Sequence, residues 1–301
     1  MRIYDQVITP RAALYHGDCV HVMQGLPADS VGLALYSPPF GDLFVYSDSV
    51  ADLGNVADDA QFFDQYAHVV AELHRVLKPG RLCAVHCTDL PTRKGRDGVI
   101  GVKRFSDAIG AAHEAAGFVF HCRVTIWRDP VVEMQRTKAL GLLYKQVQKD
   151  SAMSRMGLAD YLMVFRKRGD NPEPVEHRPA DFPVDRWQQW ASPVWMDVRQ
   201  GRVLNVRVAR DAPDERHLCP LQLDAIERAV VLWSNPGDVV LSPFMGIGSE
   251  GHEAVRLGRK FVGAELKDTY FKWAKINVTE AEAAASAGSL FDGVAPVADV
   301  A

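Results

Sequence analysis

The chain has 301 residues, 48% hydrophobic and 24% charged, the balance of a folded globular protein, which excludes wholesale disorder and a collagen-like repeat. No apolar run reaches the roughly 20 residues that a membrane helix needs, and the N-terminal MRIYDQVITPR lacks the apolar stretch of a secretion signal. The net charge of −4 hides an asymmetry: residues 1–90 carry −6, residues 91–170 carry +7 and residues 171–301 carry −5, and a basic middle between acidic ends fits a polyanion surface as well as a solvated face.

Apolar runs and helical periods alternate along the chain, the pattern of a parallel sheet with crossover helices. Ala12–Tyr15 reads as a short strand ending at Gly17-Asp18, and His21–Leu26 as a short helix. Val31–Tyr36 is a buried strand that runs into Ser37-Pro38-Pro39-Phe40. After a polar loop, Phe63, Tyr66, Val69, Val70, Leu73 and Leu77 recur at helical spacing within 60–77, and Lys78-Pro79-Gly80 stops the helix. A strand at 81–87, a helix at 105–116, a long strand at 118–127 and a strand at 160–165 follow. Residues 169–216 lose the periodicity. Five prolines and the close-set Trp187, Trp190 and Trp195 predict a small irregular insert there, not more sheet. Regularity returns with a helix at 221–233, a strand at 239–241, a helix at 249–257, a strand at 261–264 and a helix at 268–283. The small, acidic tail from Ala284 is expected to be disordered.

Two turns carry chemistry. The first is Phe244-Met245-Gly246-Ile247-Gly248-Ser249, between a strand and a helix, with Gly246, Gly248 and Gly251 spaced as G-x-G-x-x-G. Glycines let the backbone turn sharply and let a ligand approach closer than a Cβ allows. Glu265 ends the next strand, where a carboxylate can accept from both hydroxyls of a ribose, so the pair suggests an adenosine-containing cofactor. A dinucleotide domain normally begins with such a unit, yet here only about 50 residues remain. The rest of the sheet must come from the N-terminal half, so the order is circularly permuted.

The second turn is Ser37-Pro38-Pro39-Phe40. Two prolines remove two backbone donors and fix φ, which leaves carbonyls free to accept, flanked by a hydroxyl and an aromatic ring. A site acting on an exocyclic amino group needs this set: acceptors that orient the NH₂ and a flat surface for the base.

Together these turns resemble the DNA amino-methyltransferases, S-adenosylmethionine enzymes with a Pro-Pro-aromatic catalytic motif and a Phe-x-Gly-x-Gly cofactor motif. The catalytic motif near the N-terminus is similar to the permuted β order of that family, as are Gly17-Asp18-Cys19, Val76–Gly80, Tyr161–Lys167 and His217-Leu218-Cys219-Pro220. The likeness spans about residues 12–280 and extends to solitary methylases of phages and prophages. It implies a Rossmann-like, doubly wound α/β fold with a mostly parallel sheet and helices on both faces. Residues 1–168 would form the catalytic half, 169–216 a target-recognition insert and 217–283 the cofactor half.

The resemblance also assigns roles. Phe244, Gly246, Gly248 and Ser249 would shape the methionine end of S-adenosyl-L-methionine, Glu265 would hold its ribose and Asp18 its adenine. His217, Cys219 and Pro220 would close over it. Ser37 and the Pro38 carbonyl, stiffened by Pro39, would accept the two N–H bonds of a base flipped from double-stranded DNA, and Phe40 would stack on it. Serine at the first motif position favours cytosine N4 over adenine N6. Arg128, Arg136, Lys138, Lys145, Lys149 and Arg155 would contact phosphates. A nucleotide-dependent oxidoreductase and an inactive DNA-binding protein are the competing readings. A homodimer and a bacterial or phage-infected cytoplasm complete the expectations.

Other groupings carry less. Cys83 and Cys87 share a strand face while His86 points away, so a metal site is not expected, and the five scattered cysteines fit a reducing compartment better than a disulfide framework. Asp89 and Asp129, just after strands, are read either as substrate contacts or as turn formers.

Overall fold

The computed structural model describes residues 3–39, 59–92, 94–137, 139–204 and 221–287. In chain order the strands are β1 (Ile3–Ile8), β2 (Ala12–Gly17), β3 (Val31–Tyr36), β4 (Leu77–Thr88), β5 (Leu90–Thr92), β6 (Gly101–Lys103), β7 (Val119–Ile126), β8 (Asp160–Arg166), β9 (Val194–Trp195), β10 (Val239–Ser242) and β11 (Lys260–Glu265). The helices are α1 (Cys19–Gln24), α2 (Asp59–Val76), α3 (Lys94–Asp97), α4 (Phe105–Ala115), α5 (Pro130–Thr137), α6 (Tyr144–Lys149), α7 (Val184–Trp190), α8 (Leu223–Trp233), α9 (Ser249–Arg256) and α10 (Asp268–Ser286).

Nine strands form one sheet in the order β1-β2-β11-β10-β3-β4-β8-β7-β9. The five from β2 to β4 are parallel, and β1 and β8 run antiparallel to their neighbours. Every residue of β3 is buried, as a central parallel strand covered on both faces requires. Successive residues alternate between two cores. Leu33 and Leu35 face a core shared with Ile226, Val230, Phe271 and Val278 of α8 and α10. Ala34 and Tyr36 face one shared with Phe62, Tyr66, Leu73 and Ile109 of α2 and α4. The architecture is therefore the doubly wound α/β fold.

From β10 the chain steps outward to β11, and from β3 it steps the opposite way to β4, so the strand order reverses between β10 and β3. At that switch point the carboxyl ends of the strands open a crevice, because the connections leave in opposite directions. At the other end of the sheet the buried Arg81 of β4 is paired with Asp238 and donates to the carbonyls of Gly32 (2.9 Å) and Glu173 (2.8 Å). This pins β4, β3 and the start of β10 together. Removing one partner of such a buried pair strands a charge and costs about 3–5 kcal/mol.

Several elements differ from the expectations. The helix over 59–76 passes directly into β4 at Leu77, so Lys78-Pro79-Gly80 begin a strand instead of ending a helix; Leu77 pairs with Val31. The insert is not wholly outside the sheet: β9 pairs with Thr125 and Ile126 of β7, and Trp195 is buried. The last helix continues to Ser286, past the expected start of a disordered tail at Ala284, while 288–301 lie outside the described residues. No helix among the described residues is long and apolar enough to cross a membrane.

Candidate active site

The glycine turn follows β10 directly. The Met245 N–H donates to the Ala264 carbonyl at 3.0 Å, which continues the β10–β11 ladder into the turn. Gly246 and Gly248 have φ of +53° and +87°, the left-handed region that side chains disfavour. Their surroundings differ. A Cβ on Gly248 would lie 3.0 Å from Val278 and 3.1 Å from the Ala274 backbone, so this glycine serves the close packing of α10. A Cβ on Gly246 would meet nothing within 4 Å, so the backbone there faces open space, as a turn that cradles a ligand must. Gly251 belongs to the packing side: its Cβ would lie 2.7 Å from the Phe261 ring.

Glu265, at the carboxyl end of β11, accepts from the Gly246 N–H at 2.9 Å and the Lys267 N–H at 2.8 Å. Asn277 of α10 donates to the Ile247 carbonyl at 2.8 Å and holds the turn from below. Ser249 opens α9 and is buried, and the Phe244 ring lies 5.8 Å from that of Tyr36. Beside Ser249, burial and the nearby Glu265 charge push the Glu250 carboxyl up to about 8. Asp18, at the end of β2, accepts from the His21 N–H at 2.8 Å and caps α1. His217, Cys219 and Pro220 lie outside the described residues.

The proline turn begins where β3 ends, in the strand beside β10. Ser37 is half-buried and Pro38 buried, Pro39 is partly exposed, and Phe40 lies outside the described residues. The Ser37 Oγ is 2.9 Å from Nδ1 of His86 and 3.2 Å from the His86 carbonyl oxygen. His86, in β4, is almost fully buried, and its Nε2 lies 3.5 Å from Asp160 Oδ2 at the start of β8. Arg128, just after β7, donates to Asp160 Oδ1 at 2.9 Å. Four neighbouring segments thus line up Ser37, His86, Asp160 and Arg128 along the crevice edge.

On the opposite face of β3, Tyr36 bonds the Tyr66 hydroxyl at 2.7 Å and His113 Nε2 at 3.2 Å. His113 Nδ1 donates to the Ile109 carbonyl at 2.8 Å, and the ring stacks on Phe165 with centroids 4.1 Å apart. Burial lowers its pKa to about 4, so it is the neutral acceptor for the Tyr36 hydroxyl. This apolar-walled network anchors the residue that precedes Ser37.

The remaining expected residues separate into groups. Asp89 accepts from the Ser106 N–H and hydroxyl at the start of α4, and Asp129 accepts from the Val131 and Val132 N–H groups at the start of α5. Both therefore terminate helices. Arg128 is turned inward to Asp160, and Arg155 lies 3.6 Å from the buried Glu133 while donating to the Met156 carbonyl. Lys145 and Lys149 are exposed, one turn apart on α6. Lys138 and the Arg136 side chain lie outside the described residues. Cys83 and Cys87 are buried, and burial raises both thiols well above their usual range, as for packed hydrophobes.

Sequence patterns do not single out His86 and Asp160 as site residues. A signal exists for the first: His86 lies on the face opposite Cys83 and Cys87, the face on which Ser37 follows Leu33 and Leu35. The partner Asp160 depends on the β4–β8 register, which sets Thr88 opposite Asp160 and which no short motif reports.

The profile of the N6/N4 DNA methylase family matches residues 31–276. Among curated proteins, the DNA adenine methyltransferase YhdJ of Escherichia coli (strain K12) is 26% identical over 268 residues, covering 86% of this chain and 80% of YhdJ. Among solved structures, a DNA modification methylase of Thermus thermophilus complexed with S-adenosyl-L-methionine superposes with a TM-score of 0.66 at 24% identity, covering 90% of this chain and 96% of the other. PvuII DNA methyltransferase, cytosine-N4-specific, superposes with a TM-score of 0.65 at 15% identity, covering 96% and 98%. These likenesses show a shared fold.

Proposed function

Since the chain belongs to the N6/N4 DNA methylase family, we propose that it transfers a methyl group from S-adenosyl-L-methionine to the exocyclic N4 of a cytosine flipped out of double-stranded DNA. The observation that carries the reading is the adjacency of β3 and β10, which sets the Ser37 hydroxyl and the open glycine turn on one crevice edge.

The residues present fit the cofactor. The space over Gly246 would take its methionine end beside Phe244 and Ser249, Glu265 would accept from its ribose and Asp18 would lie near its adenine, with His217, Cys219 and Pro220 closing over it. When bound, the cofactor supplies an electrophilic methyl group on a sulfonium. The chain's own residues do the rest. Ser37 and the Pro38 carbonyl accept the two N–H bonds of the target, which turns the nitrogen lone pair toward the methyl, and Phe40 stacks on the ring. Holding nitrogen and methyl in line is where the rate comes from, since positioning alone can supply several kcal/mol.

Cytosine is favoured by Ser37, a neutral hydroxyl at the first motif position. Adenine N6 is the second reading, supported by the likeness to YhdJ. The 169–216 segment, which docks on β7 at the crevice edge and exposes Trp187 and Met196, is the candidate for target recognition. Lys145 and Lys149 are the described side chains best placed to meet phosphates. Family membership sets aside a nucleotide-dependent oxidoreductase. Nucleoside mass spectrometry on DNA from a methylation-deficient host expressing the chain tests the reading. N4-methylcytosine is expected, N6-methyladenine would move the substrate to the second reading, and neither base would contradict both.

A further inference from the structure

Ser37 Oγ holds one proton and has two partners within reach, His86 Nδ1 at 2.9 Å and the His86 carbonyl at 3.2 Å. Which one it takes depends on the imidazole tautomer, and that depends on the far side of the ring. There, Nε2 faces Asp160 Oδ2 at 3.5 Å, with both side chains almost completely buried. Arg128, bonded to the other carboxylate oxygen at 2.9 Å, keeps Asp160 ionised. A bare Nε2 would set its lone pair against those of a carboxylate, with little water between them. A proton on Nε2 turns that repulsion into attraction. The neutral ring therefore carries its hydrogen on Nε2, Nδ1 is bare, and the Ser37 hydroxyl donates to Nδ1.

The consequence concerns the target nitrogen. A serine hydroxyl that is free to rotate can donate to an amino nitrogen and tie up the lone pair that must attack. With its proton held by His86, Ser37 presents only lone pairs to the crevice and can only accept. We propose that His86 is a positioning residue of the transfer step: it keeps Ser37 an acceptor and, through Ser37, takes the proton that the amino nitrogen loses, with Asp160 fixing the tautomer. This rests on the amino-methyltransferase reading of the Ser37 turn.

The step balances. The nitrogen lone pair forms the new N–C bond as the S–C bond breaks, with that bond's electron pair left on sulfur. The nitrogen, now positive, gives one N–H proton to Ser37 Oγ while the Ser37 proton passes to His86 Nδ1. The resulting imidazolium lies against the Asp160 carboxylate and returns its proton to solvent afterwards. The groups facing the ring are Ser37 from the end of β3 and Asp160 from β8, with Arg128 behind Asp160. Cys87, one residue on in β4, is kept neutral by burial. The arrangement shares the logic of a serine–histidine–aspartate triad, with the serine polarised to accept instead of to attack.

The test uses the purified full chain as wild type, H86Q and D160N. It measures S-adenosyl-L-methionine affinity by calorimetry, methyl transfer to DNA from pH 5.5 to 9, and the His86 tautomer by ¹⁵N NMR. In wild type the rate falls at acid pH, where a protonated Nδ1 can no longer accept from Ser37, and NMR at neutral pH finds Nδ1 bare. H86Q should bind the cofactor within about twofold of wild type and keep its KM for DNA. Its kcat should drop about 10²-fold, and the acid limb should vanish. D160N should shift the His86 tautomer. An H86Q variant with near-wild-type kcat and the same acid limb would overturn the inference alone, as would a protonated Nδ1 in neutral wild type, which needs no variant to fold. A wild type that binds cofactor but methylates no base would overturn the methyltransferase reading, and this inference with it.

Discussion

The amide of Gly246 donates to Glu265 Oε2 at 2.9 Å, so the apex of the glycine turn after β10 and the carboxylate at the end of β11 form one unit. A second bond, from the Lys267 N–H, fixes the other oxygen and hence the plane of the carboxylate. A carboxylate has roughly four acceptor sites, so an acidic residue held this way can hold the turn and still receive ligand hydroxyls. Replacing Glu265 with Ala should weaken S-adenosyl-L-methionine binding about 10- to 100-fold, the worth of a charged hydrogen bond of about 1.5–3 kcal/mol. Calorimetry reads this directly, and Gln at 265 should recover part of the loss.

The two glycines of the turn should respond differently to the same substitution. Gly246→Ala meets open space and bears mainly the left-handed φ, a loss of about 1–2 kcal/mol, while its methyl group enters the cradle and weakens cofactor binding. Gly248→Ala adds a clash with α10, where overpacking costs about 1–3 kcal/mol more. Denaturant melts together with cofactor titrations separate the two. Gly248→Ala should be the less stable, and Gly246→Ala should lose more affinity relative to the stability it loses.

His113 makes stability depend on acid. Its folded pKa of about 4 lies below the ordinary 6.5, so between these values the unfolded chain binds a proton that the folded chain refuses. Stability therefore rises with pH through this window and is lost as pH falls from about 6.5 to 4, by up to about 3 kcal/mol. Urea unfolding at pH 7, 5.5 and 4.5 measures it. His113→Gln should start less stable at pH 7, because the Tyr36 and Tyr66 network loses its ring, and should show a shallower decline.

Lys145 and Lys149 are exposed side chains at phosphate-reaching length on one face of α6. Changing both to Ala should weaken binding to any duplex and lower the log–log salt slope by about 1 to 2, with little change in which sequence is preferred. Fluorescence anisotropy over a salt series checks both effects.

Much of this fold was legible because its strands are short and wholly apolar. Val31–Tyr36 has the same bounds in sequence and structure, since six consecutive buried residues leave little choice. β1 escaped because as an edge strand it exposes Tyr4, Asp5, Gln6 and Ile8 and carries no core period. The two-residue β9 is too short to have a period at all. The turns bearing Ser37 and Gly246 could be found from local residue chemistry. The His86–Asp160 pair could not, because it exists only through the register of β4 with the antiparallel β8. Charge counting failed for a related reason: Arg128 and Arg155 look like Lys145 and Lys149 in a composition, yet the arginines neutralise carboxylates inside the protein.

The most direct measurement is in vitro transfer of labelled methyl from S-adenosyl-L-methionine to duplex DNA by purified wild type and Ser37→Ala, with cofactor affinity measured on both. Label should enter DNA with the wild type. With Ser37→Ala, transfer should fall at least about 10²-fold at unchanged cofactor affinity, because only the acceptor for the target amino group is gone. Equal transfer by the two proteins, or cofactor binding with no label in DNA from the wild type, would contradict the assignment of this crevice as the methyl-transfer site.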